Sequence, residues 1–339
     1  MAFDYAATAR RRGWSSLPAP VRAFLTHRAG GRVDGVRLAG GGFTHGFAGH
    51  VDGPHPVFAK AVPESDQLVH AAYAREAEVL EALPAGLPVP ALEAVHAADC
   101  GAEGNWLVLV MQSIEGHMPG RPWTVAEARA IHESCLQINA ALGSEAGLAA
   151  RLRPGSMVEE WGGPEFPGIA ARLATRRSHR PDFLPDWFRQ AGDDAVADLA
   201  YLASLAPAAL RGNVPLHNDL RADNVVIGSA ERWGRPPGTA WICDWNWLSR
   251  GPAWADWVAL FPYFHHAGLP VEDMAAWRLT EGAEAVHLDS WLALLCLYMI
   301  DAGAKPELAS SPRLRAHGRF TARITIGLLA ERRGWTGVG

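Results

Sequence analysis

The 339-residue sequence predicts an α+β fold of two lobes, a small β-rich N-terminal lobe and a larger, mostly helical C-terminal lobe. Short apolar runs separated by glycine turns fill residues 32–111, whereas apolar residues at helical spacing dominate after Glu115-Gly116. The apolar share of 49% and the charged share of 20% are typical of a globular chain with a substantial core. We expect the lobes to comprise residues 1–113 and 114–339.

The pattern in the N-terminal lobe predicts an antiparallel sheet with one helix. Apolar residues at helical spacing predict a helix over Asp66–Leu83, which Pro84 stops. Strands are predicted before and after this helix in the chain, at Val33–Ala39, Gly46–Val51, Val57–Val62, Leu92–His96 and Trp106–Met111.

The C-terminal lobe is predicted to be helical around two short strands. The strands lie near Asn224–Ile227 and Trp241–Asp244. Residues 143–190 are rich in Pro, Gly and Arg, and we expect little regular structure there. The apolar run Trp291–Ile300 is too short to span a bilayer and predicts a buried helix. The predicted helices are Val125–Leu142, Asp194–Ala209, Trp254–Phe264, Val271–Thr280, Asp289–Gly303 and Arg313–Arg333.

Charge and cysteine usage exclude several classes of protein. A net charge of −5 argues against a nucleic-acid-binding surface. No apolar stretch of a signal peptide follows Arg10-Arg11-Arg12. The four cysteines lie far apart, which favours buried thiols in a reducing compartment. We therefore expect a cytoplasmic protein with no nucleic-acid or membrane partner.

The segment from His217 to Asn224 has the pattern H-x-D-x-x-x-x-N, the spacing of a kinase catalytic loop, and an apolar strand follows it. Phosphoryl transfer needs a divalent metal, a cation on the non-transferred phosphates and a group that holds the attacking hydroxyl in line. Asp219 is the candidate for the last role. Asp244, at the end of the next predicted strand, could share Mg²⁺ with Asn224, because Mg²⁺ prefers oxygen ligands. On its own, Asp244 would be interpreted as a turn aspartate.

Lys60 is one of only two lysines in the chain and lies in the predicted strand Val57–Val62. A compact ammonium suits contact with the α- and β-phosphates of ATP, although a surface lysine on an edge strand is the alternative interpretation. Glu76, on the predicted helix, could pair with Lys60 and hold it extended. Glu78 is the competing choice, and both could be solvated carboxylates.

The turn Gly40-Gly41-Gly42-Phe43-Thr44-His45-Gly46 could bring backbone N–H groups close to phosphate, with Gly41, Gly42 and Thr44 as the candidate contacts. An ordinary hairpin turn has the same composition. The sequence contains no G-x-x-x-x-G-K-[ST], which disfavours a P-loop enzyme. It also contains no G-x-S-x-G or H-E-x-x-H, which argues against hydrolysis through a serine nucleophile or a zinc centre.

Together these residues resemble the aminoglycoside phosphotransferase/choline kinase-like family, which has a two-lobed protein kinase-like fold. The sequence differs from the family at Asn218, where Gly is usual, and at Arg221-Ala222-Asp223, where His-Pro-Gly is frequent. These differences leave the spacing of Asp219 and Asn224 intact. The likeness includes the glycine turn, Lys60, Arg75-Glu76-Ala77, the connector Leu109–Gly116, His217 to Asn224, Ile242–Trp245 and Gly251-Pro252 to Asp256.

The resemblance implies a role for each matched residue. Asp219 would accept or orient the proton of the acceptor hydroxyl, and Asn224 and Asp244 would bind Mg²⁺. Backbone groups of Gln112 and Ser113 would hold the adenine of ATP, with Met111 in the same connector. His217 and Asp256 would be structural supports of the loop.

The expected activity is ATP-dependent transfer of the γ-phosphoryl group to a hydroxyl of a small molecule, either an aminoglycoside or other antibiotic, or a metabolite. The alternatives are a nucleotide-binding pseudokinase that acts as a partner module, and a choline- or homoserine-type metabolite kinase. Five tryptophans between Trp241 and Trp257 could stack on an acceptor, although core packing is the first explanation. A polycationic acceptor would need clustered carboxylates, for which the candidates are Glu159, Glu160, Glu281, Glu284, Asp289 and Asp301.

Overall fold

A five-stranded antiparallel sheet organises the N-terminal part of the computed structural model, which describes residues 3–144, 153–231 and 234–335. All five predicted strands are present, each end within three residues of its predicted position. The strand order is β1-β2-β3-β5-β4, with β1 (Gly35–Leu38), β2 (Phe47–Asp52), β3 (Val57–Pro63), β4 (Leu92–Asp99) and β5 (Asn105–Gln112).

One helix packs on each face of this sheet. Side chains alternate between the two faces of a strand, so Val108 packs with α1 (Ala19–Arg28), whereas Leu109 packs with α2 (Gln67–Ala82). The predicted helix α2 begins where the Asp66 side chain accepts the Val69 N–H, at 3.4 Å. The sequence did not predict α1.

Two small sheets and a set of helices form the rest of the chain. In one sheet β9 (Val225–Gly228) lies between β10 (Ala240–Ile242) and β6 (Gly116–His117), and in the other β11 (Ser249–Gly251) lies between β7 (Gly155–Ser156) and β8 (Val214–Leu216). The helices are α3 (Val125–Ser144), α4 (Met157–Trp161), α5 (Glu165–Thr175), α6 (Asp186–Ala191), α7 (Asp193–Ser204), α8 (Ala206–Ala209), α9 (Ala255–Val258), α10 (Phe261–His266), α11 (Val271–Met274), α12 (Ala285–Ala304) and α13 (Leu314–Arg333).

The apolar helix α12 is the centre of the helical core. It is long and apolar enough to cross a membrane by length and composition, but more than half of that stretch is buried inside the protein. Its Trp291 indole donates a hydrogen bond to the carbonyl of Ala255, at 2.9 Å. Gly303 and Gly318 let α12 and α13 approach closely, because a Cβ on Gly303 would lie 2.9 Å from the Arg319 backbone nitrogen. The predicted buried helix over Trp291–Ile300 is confirmed.

Four predictions about the helical part were wrong. Residues 143–190 contain α4, α5 and α6, because apolar side chains at helical spacing, such as Phe166 and Leu173 of α5, are buried; residues 145–152 lie outside the described residues. The predicted helix Trp254–Phe264 is divided into α9 and α10, and Pro262 stands in the first turn of α10. The predicted helix Asp194–Ala209 is likewise divided into α7 and α8. The predicted helix Val271–Thr280 is α-helical only over α11, and a separate 3-10 turn follows at Arg278–Thr280. The lobe boundary after residue 113 stays a prediction.

Candidate functional site

The predicted catalytic loop lies between β8 and β9, and buried polar side chains hold its backbone. The Asp256 carboxylate accepts the backbone N–H groups of His217 and Asn218, each at 2.8 Å. The His217 ring donates from Nε2 to the carbonyl of Cys243, at 2.7 Å, and accepts the Asp219 N–H on Nδ1, at 3.2 Å. Burial lowers the pKa of His217, so the ring is neutral and this tautomer fits both contacts. His217 and Asp256 therefore lie where structural supports of the loop would.

Asn218 takes a left-handed backbone conformation, with φ of 62°. Asparagine tolerates this region better than most residues that carry a Cβ. This explains how Asn218 can stand where glycine is usual.

Asp244 has a φ of 69°, a conformation that is strained for aspartate and that is frequent at functional sites.

Asp219 is in contact with two side chains of the same loop. The Asn224 amide donates from Nδ2 to the Asp219 carbonyl, at 2.8 Å, and Arg221 forms an ion pair with the Asp219 carboxylate. Burial raises the pKa of Asp219 to about 6, and the positive charge of Arg221 opposes this rise. From the sequence, Arg221 was noted only as a difference from the family, and its contact with Asp219 was not predicted.

The catalytic loop also contacts the glycine turn. Asp223 accepts hydrogen bonds from the Nε of Arg221, at 3.1 Å, and from the Gly42 N–H, at 2.9 Å. A Cβ added to Gly41 would lie 2.6 Å from the Cβ of Asp223, so this close approach requires glycine. The predicted phosphate turn and the predicted catalytic loop are therefore in direct contact.

Lys60 lies between two carboxylates. Val62, two residues along β3, packs in the same cluster as Tyr73 of α2, so Lys60 projects from the face that α2 covers. Its Nζ lies 2.5 Å from Glu76 Oε2 and 2.7 Å from Asp244 Oδ1. Glu76 is the partner of Lys60, while Glu78 is exposed and pairs with an arginine one turn away.

The charges of this trio depend on one another. Burial alone would lower the pKa of Lys60, but the negative charges of Asp244 and Glu76 raise it above its ordinary value. Burial raises the pKa of Glu76 to about 7. Burial also acts to raise the pKa of Asp244, but Lys60 lowers it below its ordinary value. Lys60 and Asp244 are therefore both charged at neutral pH.

A cleft lies between the five-stranded sheet and the catalytic loop. Asp219 and Ser113 do not line it, although Asn224, which contacts Asp219, does. The Ser113 hydroxyl is instead hydrogen-bonded to the His50 ring, at 2.8 Å. The predicted residues that line the cleft are Gly41, Gly42, Thr44, Lys60, Glu76, Met111, Gln112, Asn224 and Asp244.

Solved structures match nearly the whole chain, although no family model and no curated protein matches the sequence. The GDP complex of wild-type aminoglycoside 2'-phosphotransferase-IIIa is 13% identical, with 93% of this chain and 97% of that one covered and a TM-score of 0.59. The GDP and kanamycin complex of APH(2")-IIIa is 12% identical, with 94% and 99% covered and a TM-score of 0.58. A thermostable mutant of APH(4)-Ia in its apo form is 15% identical, with 93% and 99% covered and a TM-score of 0.55.

The chain has the aminoglycoside phosphotransferase fold. The predicted two-lobed, kinase-like α+β architecture is therefore confirmed. At these identities the likeness establishes the fold, so the chemistry of the site has to be argued from this chain's own residues.

Within this phosphotransferase fold, Asn224 and Asp244 fit a magnesium site. The Cys243 N–H donates to the Asn224 carbonyl, at 2.8 Å, which places the two residues side by side at the cleft. The amide nitrogen of Asn224 donates to the Asp219 carbonyl, and within the described residues no hydrogen-bond donor occupies its side-chain oxygen, which could therefore accept a metal. Mg²⁺ is usually bound through one or two protein oxygens and keeps waters and phosphate oxygens as its other ligands, so the side-chain oxygens of Asn224 and Asp244 suit it.

The carboxylates and tryptophans predicted to contact the acceptor differ in whether they reach the catalytic loop and in whether they are exposed. Glu160 accepts a hydrogen bond from the Asn218 side chain, at 2.6 Å, and so reaches the catalytic loop. Asp289 and Asp301 are instead paired with basic side chains. Among the five tryptophans, Trp247 is 60% exposed and the other four are buried, so core packing is the correct explanation for all but Trp247.

Proposed function

We propose that the protein transfers the γ-phosphoryl group of ATP to a hydroxyl of a small molecule. One observation carries the proposal: hydrogen bonds link Asp219 to Asn224, link the backbones of Asn224 and Cys243, and link Asp244 to Lys60. A base, two oxygen donors for a metal and a cation therefore form one continuous arrangement beside the cleft. Phosphoryl transfer requires these groups and little covalent chemistry.

Asp219 would receive the proton of the acceptor hydroxyl. As the hydroxyl oxygen bonds to the γ-phosphorus, the bond from that phosphorus to the β,γ-bridging oxygen breaks, and its electron pair leaves with ADP. The hydroxyl proton passes to the Asp219 carboxylate. With a pKa of about 6, this carboxylate is mostly ionised at neutral pH and is a stronger base than an ordinary aspartate.

The nucleotide would lie in the cleft, with its phosphates toward Lys60 and the glycine turn. Glu76 fixes the direction of the Lys60 ammonium. Phe58 and Met111 offer apolar surface for the adenine ring. Asn224 and Asp244 would hold Mg²⁺, which supplies positive charge to the phosphate oxygens when it is bound.

The acceptor is proposed only as a class, a small molecule with a free hydroxyl. Structures with this fold have been solved with GDP and kanamycin, and with AMP-PNP and hygromycin B. An aminoglycoside is therefore a reasonable acceptor to test first, beside other antibiotics and amino alcohols, and GTP should be tested beside ATP.

The test compares Asp219→Ala and Asp244→Ala with the wild type in acceptor-stimulated ADP release. We expect both substitutions to lower the rate about a hundredfold or more. Asp182→Ala, which changes an exposed aspartate on the surface, is the matched control and should leave the rate unchanged. Normal turnover by the Asp219→Ala variant would contradict the mechanism. Binding of Mg·ATP without any phosphorylated acceptor would instead indicate the nucleotide-binding partner module.

A further inference from the structure

The N-terminal segment that precedes α1 lies against the glycine turn. The Thr8 hydroxyl donates to the carbonyl of Gly40, at 2.9 Å, and also to that of Gly42. The Arg12 N–H donates to the carbonyl of His45, at 3.2 Å. Earlier in the segment, the Tyr5 hydroxyl is hydrogen-bonded to His317 of α13, at 3.1 Å. The segment therefore ties the glycine turn to the C-terminal helix.

Arg11 extends from this segment into the wall of the nucleotide cleft. Its guanidinium donates from Nε to the carbonyl of Ala39, at 3.0 Å, from Nη1 to the carbonyl of Thr44, at 2.9 Å, and from Nη2 to the carbonyl of Gly41. Two carbonyls of the turn and that of Ala39, which directly precedes it, thus converge on one planar cation. This arrangement needs the fork of an arginine, which a lysine cannot reproduce.

The N–H side of the same turn already binds an anion. The Gly42 N–H donates to the Asp223 carboxylate, at 2.9 Å. Carbonyls directed to a cation and an N–H directed to a carboxylate give the turn two chemically distinct sides. Successive backbone N–H groups of this kind form the usual binding surface for phosphate.

Arg11 also changes the charge balance of the cleft. Lys60 is shared by two carboxylates, and Arg221 is likewise shared by Asp219 and Asp223. Each of these trios carries one more acidic group than basic group. The hydrogen bonds of the Arg11 guanidinium, within the described part of the chain, go to backbone carbonyls and to the Thr44 hydroxyl, none of which neutralises its charge.

We propose that Arg11 is a positioning residue for the nucleotide polyphosphate: it fixes the glycine turn at the wall of the cleft, and it adds positive charge to a site where carboxylates already pair with Lys60 and Arg221. This inference rests on the proposed function, because the ligand is the polyphosphate chain of Mg·ATP. The sequence alone does not indicate this role, because about 30 residues separate Arg11 from the turn and it belongs to no motif.

The test compares Arg11→Met with Arg12→Met in binding of Mg·ATP, Mg·ADP and adenosine, measured by calorimetry. Arg12 is the matched control, since it is the adjacent arginine and its guanidinium lies over the Trp106 ring, 5.4 Å from the ring centroid. We expect Arg11→Met to weaken Mg·ATP binding about tenfold or more, because the glycine turn loses its support and the cleft loses a positive charge, and to change adenosine binding less than about twofold. Arg12→Met should leave all three affinities unchanged.

Arg11→Lys separates the two parts of the proposal. It keeps the charge and loses the fork, so its Mg·ATP affinity should lie between those of the wild type and Arg11→Met. Equal weakening of Mg·ATP and adenosine by Arg11→Met would overturn the inference, because it would indicate a general loss of structure. Unchanged Mg·ATP affinity in Arg11→Met would also overturn it. Failure of the wild type itself to bind Mg·ATP would contradict the proposed function and this inference with it.

Discussion

The ion pair between Arg221 and Asp219 controls the pH at which Asp219 becomes a base. Burial raises the pKa of Asp219 to about 6 even with Arg221 beside it. Two unit charges about 4 Å apart interact by roughly 4 kcal/mol at an effective dielectric constant of about 20, and one pKa unit corresponds to about 1.4 kcal/mol. The pair could therefore shift the pKa by about three units at most. The Asp219 side chain is 26% exposed, so water screens part of this energy, and we expect Arg221→Met to raise its pKa by about two units.

This shift has a measurable consequence for activity. At pH 7 a carboxyl with a pKa of about 6 is roughly nine-tenths ionised, whereas one with a pKa of about 8 is roughly one-tenth ionised. Arg221→Met should therefore lower kcat/KM about tenfold at pH 7, and the activity should recover above about pH 9. The assay is acceptor-stimulated ADP release between pH 5 and pH 10.

The control is Arg221→Lys, which keeps a positive charge beside Asp219 and should leave the acid limb of the pH profile close to that of the wild type. A thermal unfolding curve for each variant checks that the chain is folded. If Arg221→Met lowered the maximal kcat/KM but left the pH of its half-maximal value unchanged, the reasoning would be refuted. That result would show that Arg221 does not set the ionisation of Asp219.

Two further substitutions test the supports of the site. Glu76→Gln replaces the carboxyl group that fixes Lys60, and steady-state kinetics should show the KM for ATP raised about tenfold. Glu78→Gln, which changes an exposed carboxylate on the same helix, should leave this KM unchanged. An unchanged KM in Glu76→Gln would show that the ammonium keeps its position without this contact. Asp256→Asn leaves one N–H of the catalytic loop, such as that of His217, without an acceptor, and should lower the free energy of unfolding in urea by about 1–3 kcal/mol. A loss below about 0.5 kcal/mol would mean that the loop is held by other contacts.

The sequence was sufficient to predict the five strands of the N-terminal sheet because short apolar runs alternate there with glycine turns. It also contained the information to choose between Glu76 and Glu78. Glu76 lies three residues after Tyr73 and four before Leu80, so it shares the buried face of α2, whereas Glu78 does not. Helical periodicity alone would therefore have identified the partner of Lys60.

Other features could not be obtained from local patterns. The Pro, Gly and Arg content of residues 143–190 concealed the apolar face of α5, which becomes evident only when Phe166 and Leu173 pack into the core. Arg11 is distant in sequence from the turn that it holds, and only the tertiary fold brings the two together. Arg221 was visible beside Asp219, but spacing alone does not show which way a long side chain turns.

The most direct test of the central claim is a screen for acceptor-stimulated ADP release across aminoglycosides, other antibiotics and amino alcohols. The wild type and the Asp219→Ala variant are assayed side by side with Mg·ATP. We predict that at least one hydroxyl compound stimulates the wild type, that this compound is recovered as its phosphate ester, and that the variant shows no stimulation. Equal stimulation of the two proteins, or ADP release without any phosphorylated acceptor, would contradict the account.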